Sequence, residues 1–183
     1  MITQNNIIIS AAVFFMGTLL TSAQVAIGKE AVVNTSVSLE FGNGNRGMIL
    51  PWVTSTGAVA GAVNGTVVYD LSDHKVKAKY GSGWKDLSID ATGTTIDPIT
   101  SVDGLLIQDA HTENTDAEVT IGTTQTSDTG ILILEDIDKA MILPKVASPH
   151  LNIINPAPGM MVYDTTAKQL AVFNGTVWSF WKP

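Results

Sequence analysis

The chain contains no cysteine. That absence removes disulfides, thiolate nucleophiles, cysteine-bound metals and the lipidated cysteine of a lipoprotein. Its 183 residues suffice to bury a core without covalent staples. Positive charge is scarce, with 10 Lys and Arg against 17 Asp and Glu and a net charge of −7. No Lys or Arg lies between Lys85 and Lys139, while twelve acidic residues run from Asp86 to Asp138. Nucleic-acid binding needs the opposite sign, because phosphate neutralisation supplies most of the affinity, and that class is excluded. Long apolar runs are limited to residues 7–20, which carry no charge. That run is too short to span a bilayer and suits the apolar core of a signal peptide. Thr21-Ser22-Ala23 follows with the small residues a signal peptidase reads, although no Lys or Arg precedes the run. Residues 1–23 are therefore expected to be a signal peptide, cleaved after Ala23. The product is expected to be exported, to the medium or the cell surface, without a membrane anchor of its own.

What is present is a pattern that occurs twice. Met48-Ile49-Leu50-Pro51 is followed by Gly65-Thr66-Val67-Val68-Tyr69-Asp70 and by Trp84. Met141-Ile142-Leu143-Pro144 is followed by Gly159-Met160-Met161-Val162-Tyr163-Asp164 and by Trp178. Proline to tyrosine is 18 residues in one copy and 19 in the other, and tyrosine to tryptophan is 15 in both. Matched blocks at matched distances indicate a tandem repeat. Upstream, Gln24-Val25-Ala26-Ile27-Gly28 aligns with Glu118-Val119-Thr120-Ile121-Gly122, and Ser38-Leu39-Glu40 with Ile133-Leu134-Glu135. The expected units are residues 24–88 and 118–183, joined by an acidic Thr/Gly-rich linker, 89–117.

Within each unit the local code is strand. Val32 to Phe41 is rich in Val, Ser and Thr, and Gly130 to Glu135 is an apolar run of strand length. The Val-Tyr-Asp strands open on a glycine and close on an Asp-led turn. Val76–Tyr80 and Gln169–Phe173 are expected to return, and Gly81-Ser82-Gly83 and Asn174-Gly175 to turn again. Each unit thus ends in a three-stranded meander whose last strand opens on Trp84 or Trp178. The segments after each Leu-Pro have room for one helical turn, not for a long helix. In the linker, Gly104 to Gln108 is expected to form a strand. The fold class is all-β, with two tandem β-rich units and an extended strand-bearing linker.

The order Val-x-Ile-Gly-Thr-Thr, Leu-Glu, Leu-Pro, Val-Tyr-Asp-Thr and Asn-Gly-x-x-Trp resembles a repeated module of secreted, surface-associated proteins of Bacteroidota. It also resembles segments of phage-tail-like fibre proteins. The second unit carries it at Val119, Ile121-Gly122-Thr123-Thr124, Leu134-Glu135, Leu143-Pro144, Val162-Tyr163-Asp164-Thr165, Asn174-Gly175 and Trp178. The first unit departs at Lys29-Glu30 and at Leu71, and Trp52 stands where such modules often carry Arg. The resemblance implies an adhesive or structural role, not a reaction.

No catalytic, metal or cofactor set emerges. Gly42-Asn43-Gly44-Asn45-Arg46-Gly47 fits a dinucleotide-binding spacing, but Pro51 forbids the helix that such a loop must open. His74, His111 and His150 lack the short spacing of a metal pair. Asp136 and Asp138 lack the glycine and distal glutamate of a calcium loop. Asp70 and Asp164, being equivalent by repeat, suit turns.

The aromatic residues carry the remaining signal. Tyr69, Trp84, Tyr163 and Trp178 are expected to plug the cores of the two units, with Tyr80 and Phe173 at matching positions. Trp52, Phe180 and Trp181 are the candidate interaction residues. The leading expectation is a non-enzymatic surface or appendage protein that assembles with itself, a trimer being one form, or with other envelope proteins. The alternative is a carbohydrate-binding adhesin that stacks sugars on exposed Trp. A glycosidase would need two carboxyls facing one groove about 5–10 Å apart.

Overall fold

The structure, a computed structural model, describes residues 24–182 except 91, 110, 111, 113, 115, 116, 124 and 125. The expected signal peptide and His111 lie outside the described residues. The all-β class holds. Seven strands come first: β1 (Val25–Ile27), β2 (Val37–Phe41), β3 (Met48–Ile49), β4 (Trp52–Val53), β5 (Val67–Asp70), β6 (Lys75–Tyr80) and β7 (Gly83–Asp86). After a short helix, α1 (Gly104–Asp109), come β8 (Val119–Ile121), β9 (Leu132–Leu134), β10 (Ala140–Ile142) and β11 (Lys145–Val146). One helical turn, α2 (Pro149–Asn152), precedes β12 (Met160–Asp164), β13 (Gln169–Phe173) and β14 (Trp178–Trp181). A 3-10 turn at Thr56–Ala58 stands where α2 stands in the later half.

The order of elements in 25–86 recurs in 119–181. β1 runs parallel to β2, and β8 parallel to β9. β5–β6–β7 and β12–β13–β14 are antiparallel meanders. β4 lies parallel against the end of β5, with the Tyr69 N–H donating to the Pro51 carbonyl at 2.9 Å. β11 lies the same way against β12, with Tyr163 donating to Pro144 at 2.9 Å. Each meander turns through an aspartate and then a residue with positive φ, His74 at 55° and Lys168 at 55°.

The two halves are interlocked. β10 pairs with β2, and β3 pairs with β12 through Met160↔Ile49 and Met161↔Met48. Leu50 N–H donates to the Gly159 carbonyl at 3.1 Å. Gly47 permits this approach, since a Cβ there would stand 2.3 Å from the Met160 side chain. One core cluster lies in the later half: Val146, Ile153, Met160, Val162, Ala171 and Phe173. The other is shared, with Leu50, Tyr69 and Val76 from the earlier half and Met161 and Val172 from the later. β12 is buried on both faces because it serves both clusters.

Three expectations need correction. Residues 104–109 form a helix, not a strand. Asp103 starts it, its carboxylate accepting the Leu105 N–H at 3.0 Å as an N-cap does. Leu106 remains 68 % exposed, so the apolar run does not buy a strand's burial. The upstream alignment also slips. Val25 faces Leu39 and Val119 faces Leu132, so Glu40 corresponds to Ile133, not Glu135. Glu40 has its own local reason to be buried: Lys29 pairs with it at 2.7 Å and the Val33 N–H donates to it at 2.7 Å. Finally, Val67↔Ala78 and Met161↔Val172 make Lys79, not Tyr80, the counterpart of Phe173. A shift of one residue moves a side chain to the other face, and Tyr80 is 78 % exposed.

Candidate interaction surface

Trp52 lies half-buried on β4. Its Nε1–H donates to the Pro158 carbonyl at 2.9 Å, and its ring centre is 5.8 Å from that of Tyr69. It is a wedge between the halves, packed on the shared core. Trp181, on β14, is also half-buried and donates its Nε1–H to the Leu87 carbonyl. Lys85 Nζ stands 5.2 Å from its ring centre, within reach of a cation–π contact. Phe180 is the one of the three that faces outward, at 37 % exposure. It meets His150 edge-on at 5.7 Å and lines a shallow open recess with Ile89, Asp90, Val177, Trp178 and Ser179.

Among the residues expected to form the repeat core, Tyr69 is fully buried. Its hydroxyl donates to the Asn174 carbonyl at 2.7 Å. Burial, and then the nearby Asp73 carboxylate, push that phenol well above its ordinary pKa, so it stays a neutral donor. Tyr163, Trp84 and Trp178 are half-buried. Trp178 packs on Phe173 at 5.2 Å, whereas Trp84 has the Lys79 ammonium 5.9 Å from its ring centre.

The two aspartate turns are built alike. Asp70 accepts the Ser72 N–H (2.9 Å) and hydroxyl (2.6 Å), the Thr56 N–H (3.2 Å) and the Lys77 ammonium (3.1 Å). Burial raises its pKa, but these donors outweigh it and hold the carboxyl below its usual range. Asp164 accepts the N–H groups of Ser148 (3.1 Å), Thr166 (2.9 Å) and Ala167 (3.3 Å). There too burial pushes up and the hydrogen bonds, led by Ala167, pull the carboxyl down further. Both carboxylates are buried and committed to hydrogen bonds that hold their turns, with Lys77 as a further partner of Asp70.

The sequence reading missed Asn174 as more than a turn residue. It is fully buried; its Oδ1 accepts the N–H groups of Thr176 (2.9 Å) and Val177 (2.8 Å). Its Nδ2 donates to the Asp90 carbonyl at 2.9 Å. With the Tyr69 contact it ties the first meander, the start of the linker and the second meander together. The Asn-Gly dipeptide marks the turn, but nothing local marks partners 84 and 105 residues away.

Among the described residues, no group of three or more His, Cys, Asp or Glu side chains could hold a metal ion. Asp136 is paired with Lys139 at 2.6 Å. No helix of the described residues is long and apolar enough to cross a membrane.

The arrangement is that of an all-β protein whose conspicuous surface features, among the described residues, are strand edges and apolar side chains. Residues 120–182 match the family model described as the phage tail like trimerisation region. That part of the chain, about a third of its length, is therefore similar to a region named for trimerisation in phage-tail-like proteins. No curated protein and no solved structure matches the chain.

Proposed function

We propose that the chain is a non-enzymatic, exported structural component of a surface appendage, which works by assembling with copies of itself into a trimer. The observation that carries this is the match of residues 120–182 to a trimerisation region. Asp70 and Asp164, the paired aspartates, are committed to their own turns. Docking to other envelope proteins, cleavage after Ala23 and a source among Bacteroidota belong to the same reading. They rest on the apolar run 7–20 and on the resemblance of the repeated motif.

Size-exclusion light scattering on residues 24–183, over a range of concentrations, tests it. The expected result is a mass of three chains that persists on dilution. A monomer at every concentration overturns the reading.

One observation favours a second reading. The Phe180 recess is also lined by Asp90, so an apolar ring and an acidic residue share one open surface, a combination that sugar-binding sites use. Trp52 and Trp181 do not join it, because each has its indole N–H committed inside the chain. If Phe180→Ala abolished binding to a glycan array while the oligomer mass stayed unchanged, the adhesin would take precedence.

A further inference from the structure

The joint between the two halves is made of two strand pairings, and the chain carries the unpaired complement of both. At the joint, β10 lies along the free side of β2, and β3 lies along the first part of β12. β12 is covered along that side by two strands end to end: β3 at Met160 and Met161, then β11 at Tyr163 and Asp164. In the earlier half, β4 covers only Tyr69 and Asp70 of β5, and among the described residues no strand covers Thr66 and Val67. In the later half, β9 is paired only with β8 among the described residues. Its counterpart β2 has strands on both sides.

The uncovered side of β9 is able to pair. The Val119 N–H donates to the Ile131 carbonyl, and the Glu135 N–H to the Ile121 carbonyl. Alternation along the strand then turns the N–H and C=O groups of Leu132 and Leu134 away from β8. Ile131 and Leu132 beside that edge are 62 % and 42 % exposed, and Ile49 on β3 is 53 % exposed. An apolar edge of this kind is a template for another strand.

We propose that a second copy of this chain completes both edges, by repeating between chains the joint that already exists within one. The Met-Ile strand of the neighbour (β3) lies parallel along β9, with Met48 opposite Leu132 and Ile49 opposite Ile133. In return β10 lies antiparallel along the start of the neighbour's β5, with Ile142 opposite Thr66 and Met141 opposite Val67. Leu143 N–H then donates to the neighbour's Gly65 carbonyl, as Leu50 does to Gly159. The interface is heterologous, so it joins the later half of one chain to the earlier half of the next and closes into a ring when the rotation allows. The inference rests on the self-assembly reading and specifies which edges meet.

The absence of native cysteine makes the register directly testable. Opposed strand residues have Cα atoms at a spacing that a disulfide spans. Thr66→Cys and Ile142→Cys, prepared separately, mixed and oxidised, are expected to give a two-chain band that neither gives alone. Met48→Cys with Leu132→Cys is expected to do the same. Leu132→Pro is expected to shift self-association to about tenfold higher concentration by removing an outward N–H. Its thermal melt should hold below the concentration at which the chain associates, since that N–H does not bond to β8. An oligomer of unchanged mass that fails to cross-link at both pairs overturns the register and leaves self-assembly standing. So does cross-linking of Leu132→Cys to Met141→Cys, which would join like halves. A monomeric wild-type chain overturns self-assembly itself.

Discussion

The two meanders share their path and differ in what they bury. β6 reads Lys75-Val76-Lys77-Ala78-Lys79-Tyr80, and β13 reads Gln169-Leu170-Ala171-Val172-Phe173. By register Lys77 stands where Ala171 stands, and Lys79 where Phe173 stands. One face of the first meander is thus charged, with Lys77 bridging Asp70 at 3.1 Å and Asp73 at 2.6 Å. The same face of the second meander is a core, closed by Val146, Ile153 and Met160. The opposite faces of both meet in the shared cluster. Backbone pairing and the aspartate turns are enough to define the path, since both survive a change from ammonium to aromatic ring. Side-chain composition then decides which half has a core of its own and which leans on the other.

Exchanging these two sites gives the largest expected effect. Ala171→Lys places an ammonium in the second core at a fully buried position, beside Val162 and Phe173. The expected loss is roughly 3–5 kcal/mol, the range for a buried charge short of a matched partner. The reciprocal change, Lys77→Ala, removes one charged donor from Asp70 but leaves it the Ser72 and Thr56 donors. About 1.5 kcal/mol is expected there. Urea unfolding of the two variants checks the ratio. Equal losses would mean that the halves are not energetically distinct.

Much of this path was legible in the sequence, for identifiable reasons. The meander strands were, because Val-Tyr-Asp before a polar turn and Asn-Gly after the return strand are local signals. Gln169–Phe173 was placed to the residue. The parallel ladders were not, because β1 and β8 are three residues long and no helical crossover announces a parallel pair. Leu105-Leu106-Ile107 reads as a strand on apolarity alone, yet Asp103 was visible as a helix start. Trp52 and Trp181 were picked out as aromatic. What fixes them is a carbonyl 106 residues away for one and 94 for the other, which no local pattern encodes. The slip between Glu40 and Glu135 shows the limit of letter matching, since the hydrogen-bond ladder sets equivalence and identical residues do not.

Acid separates the halves more gently. Asp70 and Asp164 both have folded pKa values below the ordinary 3.8. Their contribution to stability is therefore full above that value and is lost as pH falls through the lower, folded one. Asp97 extends the window. The N–H groups of Thr100 and Ile99 and the Asn155 amide hold it at about 2. Thermal midpoints should be level from about pH 5 to 7 and decline below about pH 4. Asp164→Asn should flatten part of that acid limb at little further cost, because its partners are neutral donors. Asp70→Asn should flatten it too but lower the midpoint more at neutral pH, since Lys77 keeps only Asp73. Equal midpoints for the two variants at pH 7 would show that Lys77 contributes nothing to the difference.

The smallest contrast concerns the paired tyrosines. Tyr69 is buried and donates across the joint to Asn174, a residue of the other half. Tyr163, its repeat counterpart, is half-buried; by the repeat equivalence that underlies the inferred joint, it would meet the earlier half of the neighbouring chain. Tyr69→Phe keeps the ring and deletes only the hydroxyl, leaving the Asn174 carbonyl short of a donor. About 1 kcal/mol is expected. In an isolated chain Tyr163→Phe should cost less than about 0.5 kcal/mol, as surface changes do. The comparison sharpens when both are measured above and below the concentration at which the chain associates. If the joint within the chain is the template for the joint between chains, Tyr163→Phe becomes destabilising only where assembly occurs, while the Tyr69→Phe penalty stays the same at every concentration. A Tyr163→Phe effect that did not change with concentration would detach the second tyrosine from assembly and leave the first as a device internal to one chain.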